Sequence, residues 1–333
     1  MQHPFCHNYS VFTKKIVNLA YDKMSNPAHR GSNPTLLIMK HNLKEWLGAT
    51  RFWSFPVSSM PVIVTVAYLC WKGDSVRWTA AALALLGMVT FHAAGNLLSD
   101  WWDYRKGVDN EKAYAVPNLV FHHFEPREYM RFSIILFTFG ICLGLILCLM
   151  TGWKVLIIGA LGVILAASYS FFKYRALGDI FVFTCFSVLP MLGTSLVTTG
   201  RIDWSTLVVA LPLGIFTIAV LHDNNTVDIA TDSESGIHTV PMMLGEKTST
   251  VLFIVYMALP YLSVAICCAT SLLPPLALLC LLSAPLAWKN AQAAARWFRE
   301  GRNALIGLDQ KTAQLHLAFS LLLAIGLAIN AII

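Results

Sequence analysis

Three side chains at the end of one apolar run have the spacing of a shared ligand face. Asn96, Asp100 and Asp103 stand at i, i+4 and i+7 in NLLSDWWDYRKGVD, so a helix would put them on one side, with Asp109 a few residues further on. A second run closes on HDNNTVDIATDSESG, His222 to Gly236. There Asn224, Asp228 and Asp232 recur every four residues, and Asn225 lies three before Asp228. Carboxylates at the mouth of a membrane helix are costly unless paired, hydrated or metal-bound. Two hydrated loop mouths would be the ordinary explanation. The repetition of one Asn/Asp face favours a ligand site, and hard oxygen donors suit Mg²⁺. Opposed across a cavity, the two clusters could hold Mg²⁺ against a diphosphate and make it a competent leaving group. Cations for the same diphosphate come from YSFFKYRALGD, residues 169–179. Tyr169 and Lys173 are four apart, and Arg175 can fork to phosphate oxygens. A plain basic anchor at the membrane edge is the simpler role for Lys173 and Arg175.

These groups must be positioned by membrane helices. The chain has 333 residues, 56% hydrophobic and only 13% charged, against roughly a quarter charged in a soluble domain. Apolar runs near twenty residues recur, the length that crosses a bilayer as helix. A barrel would alternate polar and apolar residues instead. The expected fold is therefore all-α and polytopic. Nine spans are expected, near 50–70, 78–99, 131–151, 153–171, 180–200, 205–222, 249–269, 272–288 and 313–332. The eighth is marginal and interrupted by Pro274, Pro275 and Pro285.

Charge sets the expected orientation. With a cytoplasmic N-terminus, only Lys72, Arg77, Lys154 and Arg201 of the 24 Lys and Arg fall outside, the positive-inside pattern. Both Asp clusters then face the cytoplasm, in a multi-pass protein of the inner (cytoplasmic) membrane. The net charge of +6 is accounted for by this bias and does not indicate nucleic acid. Eight cysteines form no CxxC, and most lie in apolar runs, as small core residues do. Residues 1–43 read as a poorly ordered polar tail without an apolar signal segment, and Met39 is a candidate initiator. Residues 44–333 form the membrane domain. Residues 289–312 read either as an interfacial amphipathic helix or as a basic inner loop. The Asp cluster that ends span 2 returns at the end of span 6, a faint repeat that would bring the clusters face to face.

From about residue 44 onward the sequence resembles the UbiA-type intramembrane prenyltransferases, most nearly the 1,4-dihydroxy-2-naphthoate polyprenyltransferases of menaquinone (vitamin K2) biosynthesis. The resemblance is carried by WLGATRFWSFPVSSMPVI, NLLSDWWDYRKGVD, YSFFKYRALGD and NNTVDIATDSESGIHTV. It implies nine helices around a central cavity. It implies that Asp100, Asp103, Asp228 and Asp232 hold Mg²⁺ and a polyprenyl diphosphate, that Asn225 supports the second motif, and that Tyr169 and Lys173 contact the diphosphate. Arg51 matches an arginine near the aromatic substrate. The chain departs from the pattern at Ser99, where Asn is usual before the Asp, which passes metal support partly to Asn96. It departs again at Val227 and Ile237, which remove positive charge near the diphosphate.

The implied chemistry is an electrophilic alkylation. Diphosphate departs, and an allylic cation forms. Aromatic faces such as Phe91, Trp102, Tyr169 or Phe171 can stabilise it, although packing is the commoner role for any one of them. The acceptor ring then attacks. In the naphthoate enzymes the alkylated carbon also loses its carboxylate as CO₂. Acceptors of the same family such as 4-hydroxybenzoate, haem or a glyceryl phosphate lipid are the alternatives. An ion transporter fits less well, because the carboxylates sit at helix ends, not at the midplane. A CDP-alcohol phosphotransferase is a poor match, because its DGxxAR…GxxxD signature is absent.

Overall fold

The computed structural model describes residues 41–108, 118–173 and 175–333; the side chains of residues 166, 167, 169, 170 and 173 are outside that description. Most of the expected polar tail and Asp109 also lie outside the described residues. The long unit runs from Leu47 to Ile333. Before it, the start of helix α1 (Leu43–Ala49) is closed by a reciprocal cap, with Glu45 N–H donating to Asn42 Oδ1 and Asn42 N–H to Glu45 Oε2, both at 3.0 Å.

Helices dominate. After a 3-10 turn at Phe52–Ser54 come α2 (Pro56–Trp71), α3 (Trp78–Lys106), α4 (Pro126–Thr151) and α5 (Lys154–Lys173). The next span is split: α6 (Gly178–Phe183), a π turn at Thr184–Val188, then α7 (Leu189–Thr199). There follow α8 (Leu207–Val227), short α9 (Ile229–Glu234) and α10 (Val240–Leu244), and α11 (Glu246–Ala269). A 3-10 segment, Pro275–Ser283, then leads into α12 (Ala284–Ala295), short α13 (Trp297–Glu300) and α14 (Leu308–Ile332).

Seven of the expected spans are helices long and apolar enough to cross a membrane. The other two differ in kind. In α5 the described apolar stretch is Lys154–Leu165. The eighth region is not a continuous α-helix, because Pro274 and Pro275 open it as 3-10 and Pro285 restarts it as α12. Residues 289–312 do not form one amphipathic helix. Gly301 at φ 63° breaks the chain after α13, and a 3-10 turn follows.

The main core lies between α2, α8, α11 and α14. Met60, Val64, Leu213, Phe216, Phe253, Phe319 and Leu323 are fully or almost fully buried there. The approach of α14 to the 3-10 segment is close enough that a Cβ on Gly326 would strike the Leu276 carbonyl. At the other end of the bundle, Lys72 Nζ pairs with Asp203 at 2.7 Å and Arg201 with Asp74 at 2.5 Å, while Arg77 donates to the Met150 carbonyl. Three of the four basic residues assigned to the outer loops thus lie together, far along the helices from the Asp clusters.

Candidate active site

Local sequence sets where each functional side chain ends up. Helix α3 stops at Gly107, which takes φ 70° and returns its N–H to the Asp103 and Tyr104 carbonyls. Arg105 and Lys106 in the last turn suit the helix dipole. The stop leaves Asn96, Ser99, Asp100 and Asp103 on the last three turns. Helix α8 ends at Val227, so Asn224 lies in its final turn and Asp228 just beyond it. In the split span, Pro190 cannot donate to the Phe186 carbonyl, and its ring crowds it. The chain widens there into the π turn, closed by Leu189 N–H to the Thr184 carbonyl. Ser187 Oγ donates to the Ala210 carbonyl at 2.5 Å and ties this turn to α8.

One cavity of about 350 Å³ lies among these elements. Its polar end carries Arg51, Asn96, Ser99 and Asp103 on one side and Asn224 and Asp228 on the other. The two motifs, 125 residues apart from Asp103 to Asp228, therefore share one chamber. Its deeper wall is apolar, with Leu143 and Leu147 of α4, Val155 and Ile158 of α5, and Leu196 and Val197 of α7. Phe91, Trp53 and Phe186 line it between the two ends. Phe171 and Trp102 are exposed and do not line it.

The remaining expected residues fall around the mouth. Asp100 accepts from Arg51 Nη2 at 2.5 Å. Arg51 itself holds φ 55° and ψ 49°, a left-handed conformation unusual for a non-glycine residue. Asn96 donates to the Thr50 carbonyl at 2.9 Å and so anchors the Arg51 turn to α3. Asp232 and Asn225 are buried and are not among the residues lining the cavity. Arg302 reaches Asp228 at 3.5 Å. Arg175 is turned back over the Phe171 ring, 3.6 Å from its centroid, and donates to the Phe171 carbonyl. The side chains of Tyr169 and Lys173 lie outside the described residues. Both residues belong to the end of α5, and further on Ala176 N–H donates to the His238 carbonyl at 2.6 Å and Arg175 bridges His238. Arg175 and Ala176 therefore lie beside the segment that follows the second motif.

Sequence reasoning missed three residues. Arg302 was read only as part of a basic segment. Asp223 is 1% exposed, with the Asp309 backbone and the Asp309 and Lys311 charges near enough to act on its carboxylate. Its place beside Asn224 was the available signal. His92 lines the cavity one turn inside Asn96, and a lone His in an apolar run gave no signal.

The donor set suits a hard divalent cation. Carboxylates of Asp103 and Asp228 and amide oxygens of Asn96 and Asn224 edge one chamber, with no thiol or imidazole in the group. Among the described residues these carboxylates do not gather three to one point. A cation held here takes the rest of its shell from ligand oxygens or water.

The class of protein follows: a helical membrane protein with an apolar chamber closed by paired acidic motifs. Residues 59–306 match the UbiA prenyltransferase family. The UbiA prenyltransferase domain-containing protein 1 of Xenopus tropicalis is 30% identical over 343 aligned residues, covering 97% of this chain and 96% of that protein. The fold is similar to the apo structure of a UbiA homolog from Aeropyrum pernix K1 (TM-score 0.62, 15% identity, 82% of this chain and 97% of that one). It is also similar to a UbiA homolog from Archaeoglobus fulgidus bound to DMAPP and Mg²⁺ (TM-score 0.54, 13% identity, 84% and 99%). The chain belongs to the UbiA prenyltransferase family and is an enzyme of the prenyl-transferring class.

Proposed function

We propose that the protein transfers a polyprenyl group from polyprenyl diphosphate to 1,4-dihydroxy-2-naphthoate in menaquinone biosynthesis, with Mg²⁺ as cofactor and the polar mouth of the chamber facing the cytoplasm. The observation that carries this reading is the single chamber with Asp103 and Asp228 at one end and an aliphatic wall at the other. A prenyl diphosphate has the same polarity along its length. The Mg²⁺ and DMAPP of the Archaeoglobus fulgidus homolog support the cofactor and the donor.

In this reading Asp103 and Asp228, with Asp100 and Asp232 behind them, hold the cation, and Asn96, Asn224 and Asn225 complete and orient that shell. When bound, Mg²⁺ neutralises diphosphate oxygens and stabilises the leaving group. Lys173 and Tyr169 contribute a cation and a hydroxyl from the end of α5, with Arg175 just beyond it. The aliphatic wall excludes water from the allylic carbon, so transfer wins over hydrolysis. Phe91 and Phe186 present aromatic faces to the middle of the chamber.

A second reading of the acceptor is favoured by one contact. The Arg51 guanidinium is engaged with Asp100, so it has a role at the first motif without any substrate carboxylate. A hydroxylated ring lacking the carboxylate then fits as well. The test uses purified protein in lipid nanodiscs with a labelled allylic diphosphate, Mg²⁺ and each acceptor. Prenylated product and released diphosphate are expected. Asp103→Asn or Asp228→Asn should abolish turnover while leaving the thermal midpoint of the protein in place, since each keeps volume and removes an anionic ligand. Full activity in EDTA would overturn the reading.

A further inference from the structure

His92 is buried in the wall of the chamber at 8% exposure, and its hydrogen bonds determine which ring nitrogen carries a proton. Nδ1 lies 2.9 Å from Ser58 Oγ, and Nε2 lies 3.4 Å from Ser54 Oγ. Each serine hydroxyl also has a backbone carbonyl within reach. Ser58 donates to Phe55 O at 3.0 Å and Ser54 to Arg51 O at 2.7 Å. The Phe55 carbonyl also receives the Ser58 and Ser59 N–H groups and the Ser59 hydroxyl, so the tautomer is itself part of the proposal: with both serines donating to their carbonyls, each accepts from the ring. A neutral imidazole has one N–H. The shorter contact takes it: Nδ1–H donates to Ser58, and Nε2 is left with its lone pair. Ser54 and His92 line the chamber and Ser58 does not, so the lone pair lies on the chamber side. The ring plane is fixed by Phe186, edge-on at 4.7 Å, and by Phe55 at 5.7 Å. Arg51 is the charged side chain whose field reaches the ring. Asp103 and Asp228 line the same chamber nearer its mouth.

We propose that His92 Nε2 is the general base that takes the hydroxyl proton of the aromatic acceptor, with Ser58 as the positioning residue that fixes its tautomer. The proposal rests on the functional reading above, in that the acceptor is a hydroxylated ring. The acceptor O–H bond breaks and its proton moves to Nε2. The ring, now a phenolate, uses a carbon-centred electron pair to form the bond to the allylic carbon. The C–O bond to diphosphate breaks, and its electron pair leaves with the diphosphate. The dienone so formed loses the substituent on the alkylated carbon, as a proton to diphosphate or water or as CO₂, and becomes a phenolate again. The imidazolium returns its proton to that oxygen, which restores the hydroxyl and the base. A positioned base of this kind contributes about 10²–10⁴-fold.

His92→Asn and Ser58→Ala are compared with the parent protein. Asn can still donate to Ser58 but has no basic lone pair. The expected kcat of His92→Asn is lower by about 10²–10⁴-fold, with the KM for prenyl diphosphate and the thermal midpoint unchanged. Its rate should climb about tenfold per pH unit between about pH 6 and pH 8, as the acceptor ionises unaided, where the parent is much flatter. A ring-fluorinated acceptor, whose hydroxyl is more acidic, should recover much of the loss in the variant and change the parent little. Ser58→Ala should show the same pH slope with a smaller loss, and it decides the matter if His92→Asn fails to fold. A loss equal for both acceptors with an unaltered pH profile overturns the base and leaves His92 as packing. If the parent itself prenylates no hydroxylated ring while diphosphate is still released, the functional reading falls, and the base with it.

Discussion

At the scale of single residues, position relative to a neighbour's charge decides more than residue type. Arg51 was expected near an aromatic acid because arginine can fork to a carboxylate. The carboxylate it meets in the fold is Asp100, from a helix whose motif begins 45 residues downstream at Asn96. Arg51→Lys keeps the charge and loses the fork. If Arg51 also clamps the acceptor, the KM for the aromatic acid should rise several-fold while that for prenyl diphosphate stays put. If its whole task is to orient Asp100, the KM for prenyl diphosphate should rise instead. Steady-state kinetics with each substrate varied in turn separates the two. A second residue-scale expectation concerns the far end of the bundle. Burial alone would raise the Asp203 carboxyl, but hydrogen bonds from Lys72 and from the Ser205 hydroxyl and N–H, with the Lys72 charge, outweigh it and hold the group down at about 2. The folded value lies below the ordinary 3.8, so the folded state binds this proton less readily than the unfolded one. The stabilisation is complete above about pH 4 and is lost as pH falls towards 2. Thermal midpoints measured from pH 5 down to about pH 2.5 should therefore drop less steeply for Asp203→Asn than for the parent.

Elements carry the next level of control, and prolines and glycines do much of it. Pro190 forces the π turn that presents Phe186 to His92. Pro190→Ala should let the span close into regular α-helix and rotate Phe186 away from the chamber. Activity should then fall more than stability, read as kcat against thermal midpoint. Gly326 acts on packing alone, since any Cβ there meets the Leu276 carbonyl. Gly326→Ala should destabilise by about 1–3 kcal/mol through the displaced backbone. Denaturation in mild detergent checks it, with the KM values expected to hold.

For the whole molecule, the proposed function makes the chamber's polar end and apolar wall testable for substrate orientation and length. Gly159 of α5 lines the apolar wall, and open space surrounds the place of its missing Cβ. Gly159→Leu should fill that space. The KM for long polyprenyl diphosphates should rise by about tenfold or more, and that for a short allylic diphosphate should change little. Equal effects on long and short donors would mean that the tail leaves the chamber by another route. Orientation is testable on the same scale. Cysteine probes beside Lys72 and Arg201 should label from one side of the membrane and a probe at Ser233 only from the other.

Much of the architecture was legible in the chain itself, because membrane helices announce themselves by length and composition. Seven of the nine expected spans are visible as apolar helices, and the Asn96–Asp103 face follows from helical periodicity alone. The acidic motifs stood out in the sequence because one Asn/Asp face closes two separate apolar runs; that they hold a cation is the proposal. Tertiary structure decided what periodicity cannot encode. It joined Asp103 and Asp228 across one chamber, gave Asp100 to Arg51 and Asp228 to Arg302, and turned Arg175 onto Phe171. It also set a histidine from the middle of α3 between two serines. Apart from the local turn of Arg175 onto Phe171, each of these brings together residues distant in sequence. The energy of such a contact depends on packing at a given place, and no local propensity reports it.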